Sequence, residues 1–238
     1  MKLEDQVAIV TGASSGIGEG IARALAERGV HLVLNGRRAD RLERLAAGLE
    51  RAVAVAGDIS DPATPQRLID RALERFGRLD VAINNAGMLE VGTVEAIDLD
   101  RVAAMIRVNV EAAFRFAYTM LRHFKSQDRG HLINTSSILG TTVRPTTGAY
   151  AGTKYAIEAL THALRLELAR TNVRLTNVQP GLVLSELHRH MARHPKDTLG
   201  IEQPLAPEDI ARAVLFALEQ PGHVQINSIQ IVPRGQEL

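Results

Sequence analysis

A tyrosine and a lysine four residues apart, Tyr150 and Lys154, are the residues whose types and spacing most directly suggest chemistry. On a helix this spacing places both side chains on one face, one turn apart. A phenol has an ordinary pKa of about 10, but a cation held nearby favours the phenolate and lowers that pKa toward neutrality. The pair therefore predicts an acid–base centre. The same spacing also fits a solvated tyrosine–lysine pair.

Short apolar runs that read as strands alternate with amphipathic segments that read as helices. We predict strands at residues 7–10, 31–34, 52–56, 81–84, 132–136, 173–179 and 226–232. We predict helices at residues 17–28, 39–49, 64–76, 98–124, 150–170 and 207–219. Strands that alternate with helices indicate right-handed crossovers and a parallel sheet covered on both faces. We therefore expect a single doubly wound, Rossmann-type α/β domain over residues 1–238, with about seven strands.

Composition narrows the classes of function. The 238 residues are 45% hydrophobic and 23% charged, as in globular proteins. The net charge is +1, and positive and negative residues are interspersed along the sequence without a basic stripe. There is no cysteine, which excludes disulfides and thiolate metal sites and fits a reducing compartment. The N-terminus has no signal-peptide core, and no apolar run approaches the roughly 20 residues of a membrane span. We expect a cytoplasmic protein without nucleic-acid or membrane partners.

A glycine-rich turn, Thr11 to Gly18, joins the first predicted strand to the first helix. Glycines at Gly12, Gly16 and Gly18 let the backbone approach a ligand closely, and the N–H groups at the start of the helix suit a pyrophosphate. Ligands of such sheets lie beyond the carboxyl ends of the strands, where this turn falls. The turn therefore predicts a dinucleotide site, although a tight strand–helix turn without a ligand would share the glycines.

The residues that follow the second predicted strand help to distinguish an NAD site from an NADP site. An NAD site usually offers a carboxylate there, whereas an NADP site offers arginine to the 2′-phosphate. This chain has Arg37 and Arg38 and no acid, which favours NADP(H), although both arginines could be solvated. Asp58, after the third strand, could accept from the adenine amine or cap its own turn.

Taken together, these motifs resemble the single-domain branch of the short-chain dehydrogenases/reductases over essentially the whole chain. Thr11-Gly12-x-x-x-Gly16-x-Gly18 is similar to the family's cofactor turn, and Asn84-Asn85-Ala86-Gly87 to its fourth-strand motif. Pro180-Gly181 with Ser185 resembles the segment that contacts the nicotinamide amide, where the family has threonine. The Gly-Arg-Arg at 36–38 and the ending at 231–234 resemble the NADP-dependent 3-hydroxy acid (serine-type) dehydrogenases and clavulanate-type aldehyde reductases.

The resemblance implies four catalytic residues: Asn109, Ser137, Tyr150 and Lys154. Ser137 would hydrogen-bond the substrate carbonyl, Tyr150 would be the general acid/base, and Lys154 would bind the nicotinamide ribose and lower the pKa of Tyr150. Asn109 would hold a water that joins Lys154 to solvent. Each has a structural alternative: Asn109 could bond backbone groups, Ser137 could cap the strand end and Lys154 could be a surface residue.

The resemblance also implies cofactor contacts at Gly12, Ser14, Ser15, Gly16, Ile17, Gly18, Arg37, Arg38, Asp58, Ile59, Asn85, Ala86, Gly87, Tyr150, Lys154, Pro180, Gly181, Val183 and Ser185. It implies a substrate lid at about 182–205 and a pocket formed by Ser137, Leu139, Tyr150, Leu182, Leu187 and Met191. Met88, Leu89, Glu90 and Val143 are further pocket candidates. His190 and His194 share a metal-binding spacing, but without an evident third ligand we expect no metal site.

The reaction so implied is hydride transfer between NADP(H) and a carbonyl or alcohol, in either direction, by a homodimer or homotetramer that acts on a small molecule. The alternative from another class is a non-catalytic dinucleotide-binding redox sensor. Such a sensor needs the glycine turn but not the four catalytic residues, so their presence favours the enzyme.

Overall fold

A computed structural model describes residues 2–189, 191 and 195–237. The described chain forms a seven-stranded sheet in the order β3-β2-β1-β4-β5-β6-β7, with every neighbouring pair parallel. The strands are β1 Val7–Thr11, β2 His31–Gly36, β3 Ala52–Ala56, β4 Val81–Asn84, β5 Gly130–Thr135, β6 Val173–Pro180 and β7 Ser228–Ile231. The prediction of a doubly wound α/β domain with a parallel sheet of about seven strands is confirmed.

Helices cover both faces of the sheet. They are α1 Gly16–Ala26, α2 Ala39–Ala47, α3 Thr64–Phe76, α4 Leu99–Ile106, α5 Ala113–Ser126, α6 Gly148–Leu168, α7 Pro195–Thr198 and α8 Pro207–Glu219. Successive side chains of β1 point to opposite faces: Ala8 and Val10 join one buried cluster, Val7 and Ile9 the other. Because a parallel sheet is buried on both sides, β1 carries an unbroken apolar run. Two cores therefore fix the sheet that presents the site.

The helix predicted at 98–124 differs from the structure in one respect. It is α4, a π-helical segment Arg107–Ala112 and α5 in succession, with helical backbone angles at both junctions. The Asp98 carboxylate caps its start by accepting from the backbone N–H groups of Asp100 and Arg101. A π turn adds one residue to a turn and often marks a functional position. Hydrophobic spacing does not reveal such a local widening, so the sequence predicted a regular helix.

Most predicted boundaries agree with the structure to within two residues. The helix predicted at 150–170 begins at Gly148 and ends at Leu168, and the last strand is shorter than predicted. Gly77, with φ of 75°, ends α3 in the left-handed conformation that favours glycine. Among the described residues, no helix is long and apolar enough to span a bilayer.

Candidate active site

The glycine turn and the segment after β4 are joined at the carboxyl edge of the sheet. The Thr11 hydroxyl donates to the Ile83 carbonyl (3.1 Å) and accepts from the backbone N–H groups of Asn85 (2.9 Å) and Ala86 (3.1 Å). The Asn85 side-chain amide donates to the Thr11 carbonyl at 3.0 Å. The two predicted motifs therefore form one rigid unit, as expected of residues that line the same ligand.

Three glycines give this turn its shape. Gly12 and Gly16 have φ of 67° and 57°, which side chains rarely adopt. A Cβ on Gly18 would lie 2.7 Å from the Asn85 amide nitrogen and closer still to the Gly12 carbonyl oxygen. The hydroxyl of Ser15, the N-cap of α1, makes no capping hydrogen bond, so this side chain leaves the first backbone N–H groups of α1 open. A close turn with open N–H groups fits a pyrophosphate.

An arginine cluster lies against the same turn. Arg38 donates to the hydroxyls of Ser14 (3.0 Å) and Ser15 (2.6 Å) and to the Ser14 carbonyl (3.3 Å). It also donates to the Glu186 carboxylate, which accepts at 2.7 Å from Arg41. These guanidinium contacts lower the pKa of Glu186 to about 2, Arg38 contributing most.

The two predicted arginines therefore occupy different settings. Arg37 is exposed and makes no hydrogen bond or ion pair within the described ranges, whereas Arg38 contacts the turn. Sequence reasoning missed Arg41. The available signal was its spacing of three residues from Arg38, the residue that precedes α2, since such a spacing brings both side chains to the start of the helix.

Asp58, which follows β3, makes hydrogen bonds within its own turn. The Asp58 carboxylate accepts from the backbone N–H of Ser60 at 2.8 Å, and its carbonyl accepts from the Thr64 hydroxyl at 2.8 Å. Ile59 is buried in one of the two cores. The turn-capping alternative for Asp58 is therefore present in the structure, while its contact with adenine stays a prediction.

The tyrosine, lysine and serine of the predicted catalytic group come together at the start of α6. The Lys154 ammonium lies 5.7 Å from the centre of the Tyr150 ring and donates to the Thr135 carbonyl at 2.9 Å. The Ser137 hydroxyl accepts from the backbone N–H of Leu139 at 3.1 Å, which is the capping alternative, and it lies close enough to Tyr150 to lower the pKa of that phenol. Its neighbour Ser136 has a buried hydroxyl with no partner among the described residues, and the choice of Ser137 stays a prediction.

Burial controls the ionisation of this group. It raises the pKa of Tyr150 to about 12, with the Ser137 hydrogen bond acting in the opposite direction. It lowers the pKa of Lys154 to about 8, opposed by the Glu158 carboxylate. The net shift of the Tyr150 pKa is therefore opposite to the expected one, because burial removes the phenolate from water. At neutral pH Tyr150 keeps its proton and Lys154 is mostly charged.

Asn109, on the π-helical segment, fixes the backbone beside the site. Its side chain accepts from the backbone N–H of Met88 (2.8 Å) and donates to the Met88 carbonyl (2.8 Å) and to the Thr153 hydroxyl (3.2 Å). The side chain thereby ties the segment after β4 to α6. This is the backbone-bonding alternative considered from the sequence, and the water relay to Lys154 stays a prediction.

An apolar cluster adjoins the Tyr150 ring. Three of the predicted pocket residues, Leu139, Leu187 and Met191, pack against buried Tyr150, Leu89 and Met105, together with Met88. Leu182 is buried outside this cluster, and Val143 is 68% exposed. Glu90 is buried and ion-paired with Arg101, so it does not face solvent. Leu182 and Val143 are therefore not brought to the apolar cluster.

The segment after β6 runs beside the glycine turn. The backbone N–H of Gly181 donates to the Ile231 carbonyl at 2.7 Å, that of Leu182 to the Gln236 side chain at 2.9 Å, and Val183 pairs with Leu205. A Cβ on Gly16 would lie 3.2 Å from Cβ of Ser185, so Ser185 borders the turn. Sequence reasoning missed Gln236, for which no local signal exists.

The histidines of the predicted lid give no metal site in the part of the chain that the structure describes. His190 and His194, with Arg193, lie outside the described residues. No group of three or more histidine, aspartate and glutamate side chains within the described ranges could hold a metal ion.

The chain is similar over nearly its whole length to known oxidoreductases. A family model described as short chain dehydrogenase matches residues 6–196. An uncharacterized oxidoreductase of Staphylococcus saprophyticus is 36% identical over 98% of this chain and 99% of its own length. One of Staphylococcus aureus strain USA300 is 39% identical over 97% of this chain and 98% of its own.

Three solved structures extend the comparison. An alcohol dehydrogenase from the archaeon Thermococcus sibiricus, complexed with 5-hydroxy-NADP, superposes with a TM-score of 0.87 at 31% identity, covering 98% of both chains. A closed form of serine dehydrogenase with NADP⁺ gives 0.91 at 27%, covering 98% of this chain and 97% of its own. A 3-ketoacyl-(acyl-carrier-protein) reductase from Brucella melitensis with NADH gives 0.89 at 29%, covering 99% and 100%.

Proposed function

Since the chain belongs to the short-chain dehydrogenase/reductase family and is an oxidoreductase, we propose that it transfers hydride between NADP(H) and a carbonyl or alcohol, with Tyr150 as the general acid/base. The observation that carries this proposal is the Lys154 ammonium 5.7 Å from the centre of the buried Tyr150 ring, next to an apolar cluster and near Ser137. A proton donor, a hydrogen-bond donor and a cation then meet where a carbonyl oxygen would gain charge.

The cofactor would lie along the carboxyl edge of the sheet, and when bound it supplies the hydride. The glycine turn would hold its pyrophosphate, with residues 84–87 and 180–185 along its length. Ser137 donates to the substrate oxygen once its hydroxyl is free of Tyr150, and Tyr150 delivers the proton that this oxygen requires. Lys154 supplies positive charge that stabilises the phenolate left behind. In oxidation Tyr150 takes the proton back.

The preference for NADP(H) rests on the arginines beside the turn. Arg38 and Arg41 each bind one oxygen of the Glu186 carboxylate, and a phosphate is likewise an anion that presents several oxygens to such a pair. Exposed Arg37 is available to the adenine side of the same ligand. The alcohol and serine dehydrogenase structures hold NADP-type cofactors, whereas the 3-ketoacyl reductase holds NADH, so the preference needs a direct test.

We place the substrate among small aldehydes, ketones and 3-oxo acids, in line with the resemblance to the serine-type dehydrogenase and aldehyde reductase subgroup. Leu139, Leu187 and Met191 offer it an apolar surface beside Tyr150.

The proposal is tested by following consumption of NADPH, beside NADH, over a panel of these carbonyl compounds. We expect turnover that is faster with NADPH, and the ranking of substrates identifies the pocket's preference. An Arg38→Ala, Arg41→Ala double variant should lose NADPH affinity far more than NADH affinity, since each charge-assisted hydrogen bond contributes about 1.5–3 kcal/mol. Equal losses for the two cofactors would place the 2′-phosphate elsewhere.

The proposal includes a cytoplasmic homodimer or homotetramer. The absence of cysteine fits a reducing compartment. Tyr118 on α5 and Leu166 on α6 are 42% and 70% exposed and offer apolar surface to a second copy. Sedimentation should give a multiple of the 25.9 kDa chain mass, and a species of that mass alone would contradict self-association.

A further inference from the structure

The Glu186 carboxylate bridges two arginines of the candidate cofactor site. One of its oxygens accepts from Arg38 and the other from Arg41, the latter at 2.7 Å. Glu186 follows β6, whereas the arginines flank the start of α2, so the bridge joins segments 145 and 148 residues apart. Its side chain is 40% exposed, which leaves it open to exchange with solvent and with solutes.

The bridge occupies an anion site that touches the cofactor turn. The Arg38 guanidinium that holds Glu186 also donates to the hydroxyls of Ser14 and Ser15. A 2′-phosphate bound to the same guanidinium would lie next to the carboxylate, and two anions held this close repel one another. The two anions therefore compete for the same guanidinium.

We propose that Glu186 is a cofactor-specificity residue: its carboxylate occupies the 2′-phosphate subsite on Arg38 and Arg41, and the 2′-phosphate of NADP(H) displaces it. This inference rests on the proposed use of NADP(H). A cofactor without that phosphate leaves Glu186 on the arginines. The phosphate wins because it carries more charge and more acceptor oxygens than a carboxylate, so it replaces both hydrogen bonds.

Displacement of Glu186 would also affect the residues that border the proposed substrate pocket. Glu186 begins the short 3-10 turn Glu186–His188, and the next residue, Leu187, packs in the apolar cluster around Tyr150. Arg189 lies 3.8 Å from the Glu186 carboxylate and can take over as its partner after release. Binding of the 2′-phosphate therefore frees a segment that contributes to the substrate pocket.

The inference is tested with adenosine 2′,5′-bisphosphate and AMP, which differ in the 2′-phosphate and need no turnover. Calorimetry on the full chain compares wild type, Glu186→Gln and Glu43→Gln. Glu43 is exposed on α2, two residues from Arg41. Glu43→Gln therefore removes one negative charge, as Glu186→Gln does, at a side chain that contacts neither arginine. We expect Glu186→Gln to bind the bisphosphate about three- to tenfold more tightly, with AMP unchanged, and Glu43→Gln to match wild type.

The other outcomes separate this inference from the proposed function. If wild type prefers the bisphosphate to AMP but Glu186→Gln binds it no more tightly, or more weakly, the displacement is wrong while the NADP(H) preference stands. A wild type that binds both probes equally has no 2′-phosphate subsite, which overturns the preference and the displacement together. An equal gain in Glu43→Gln would reduce the effect to general electrostatics and overturn the inference.

Hydrogen exchange gives a second readout that does not depend on a substitution. The Arg189 backbone N–H donates to the Glu186 carbonyl within the short turn. We expect the bisphosphate to speed amide exchange at residues 187–189 in wild type and AMP to leave it unchanged. Slower exchange with the bisphosphate would show that Glu186 stays in place and would overturn displacement.

Discussion

At the scale of residues, the candidate site depends on two buried groups whose environments move their pKa values in opposite directions. Tyr150 retains its proton because burial disfavours the phenolate, and Lys154 loses its proton more readily because burial disfavours the ammonium. A neutral phenol suits reduction, in which the substrate oxygen must receive a proton. The structure thus presents Tyr150 in its acid form.

The pH dependence of reduction should follow Lys154. Its pKa of about 8 means that the ammonium is present below pH 8 and lost above it, whereas Tyr150, with a pKa of about 12, keeps its proton throughout. We expect kcat/KM for reduction, which reports the free enzyme, to fall above pH 8. Initial rates from pH 6 to 10 measure this. Lys154→Arg should lack the decline, and a wild-type profile that rises through pH 8 would contradict the assignment.

At the scale of elements, the site is built where backbone segments approach each other more closely than side chains allow. Gly18, in the first turn of α1, lies against Gly12 and Asn85, while the π-helical segment places Asn109 on the backbone of Met88. These contacts join α1, β4 and the long helix at one edge of the sheet. Precise placement of the candidate site's side chains follows from this support.

Two glycine substitutions should have opposite effects. Gly18→Ala places a Cβ 2.7 Å from the Asn85 amide, so overpacking should lower the free energy of unfolding by about 1–3 kcal/mol and weaken cofactor binding. Gly152→Ala lies on the exposed face of α6, where an added Cβ meets no atom within 4 Å apart from its chain neighbours and its own helix backbone, and it should raise the free energy of unfolding by about 0.5–1 kcal/mol. Urea unfolding measures both. Wild-type stability in Gly18→Ala would show that the close approach is not required.

The elements and the site differ in how far they can be predicted from sequence. The strand ends, the glycine turn and the Tyr150–Lys154 pair are local patterns, and each lies where its pattern indicates. The contact between Glu186 and Arg38 joins residues 148 positions apart, and no spacing rule connects them. The raised pKa of Tyr150 also depends on burial by distant segments, which is why reasoning from Lys154 alone gave the wrong direction.

At the scale of the whole molecule, stability should depend on a histidine buried within the sheet. The Thr176 hydroxyl donates to the Ile226 carbonyl (2.6 Å) and therefore accepts from Nε2 of His131 (2.8 Å). Nδ1 of His131 has no partner in the described ranges. Burial holds the pKa of His131 well below its usual range, with Arg174 adding to the effect. The folded protein therefore keeps this ring neutral.

Acid should destabilise the fold through His131. The unfolded chain takes up a proton as pH falls below the ordinary histidine pKa of about 6.5, whereas the folded state does not, so stability is full above that pH and is lost below it. His131 alone should contribute a slope of up to about 1.4 kcal/mol per pH unit. Urea unfolding from pH 7.5 to 5 measures it. His131→Gln should reduce the slope, and exposed His162→Gln should not; identical slopes would contradict the assignment.

The proposed chemistry rests most directly on the Tyr150 hydroxyl, and Tyr155 on the same helix, 42% exposed, offers a matched control. The measurement is the rate of NADPH oxidation by wild type, Tyr150→Phe and Tyr155→Phe with the best carbonyl substrate of the panel, beside NADPH affinity by titration. We predict that Tyr150→Phe loses about 10²-fold or more in kcat with its NADPH affinity nearly intact, while Tyr155→Phe keeps both. Wild-type turnover in Tyr150→Phe would contradict the role of Tyr150 as the general acid/base.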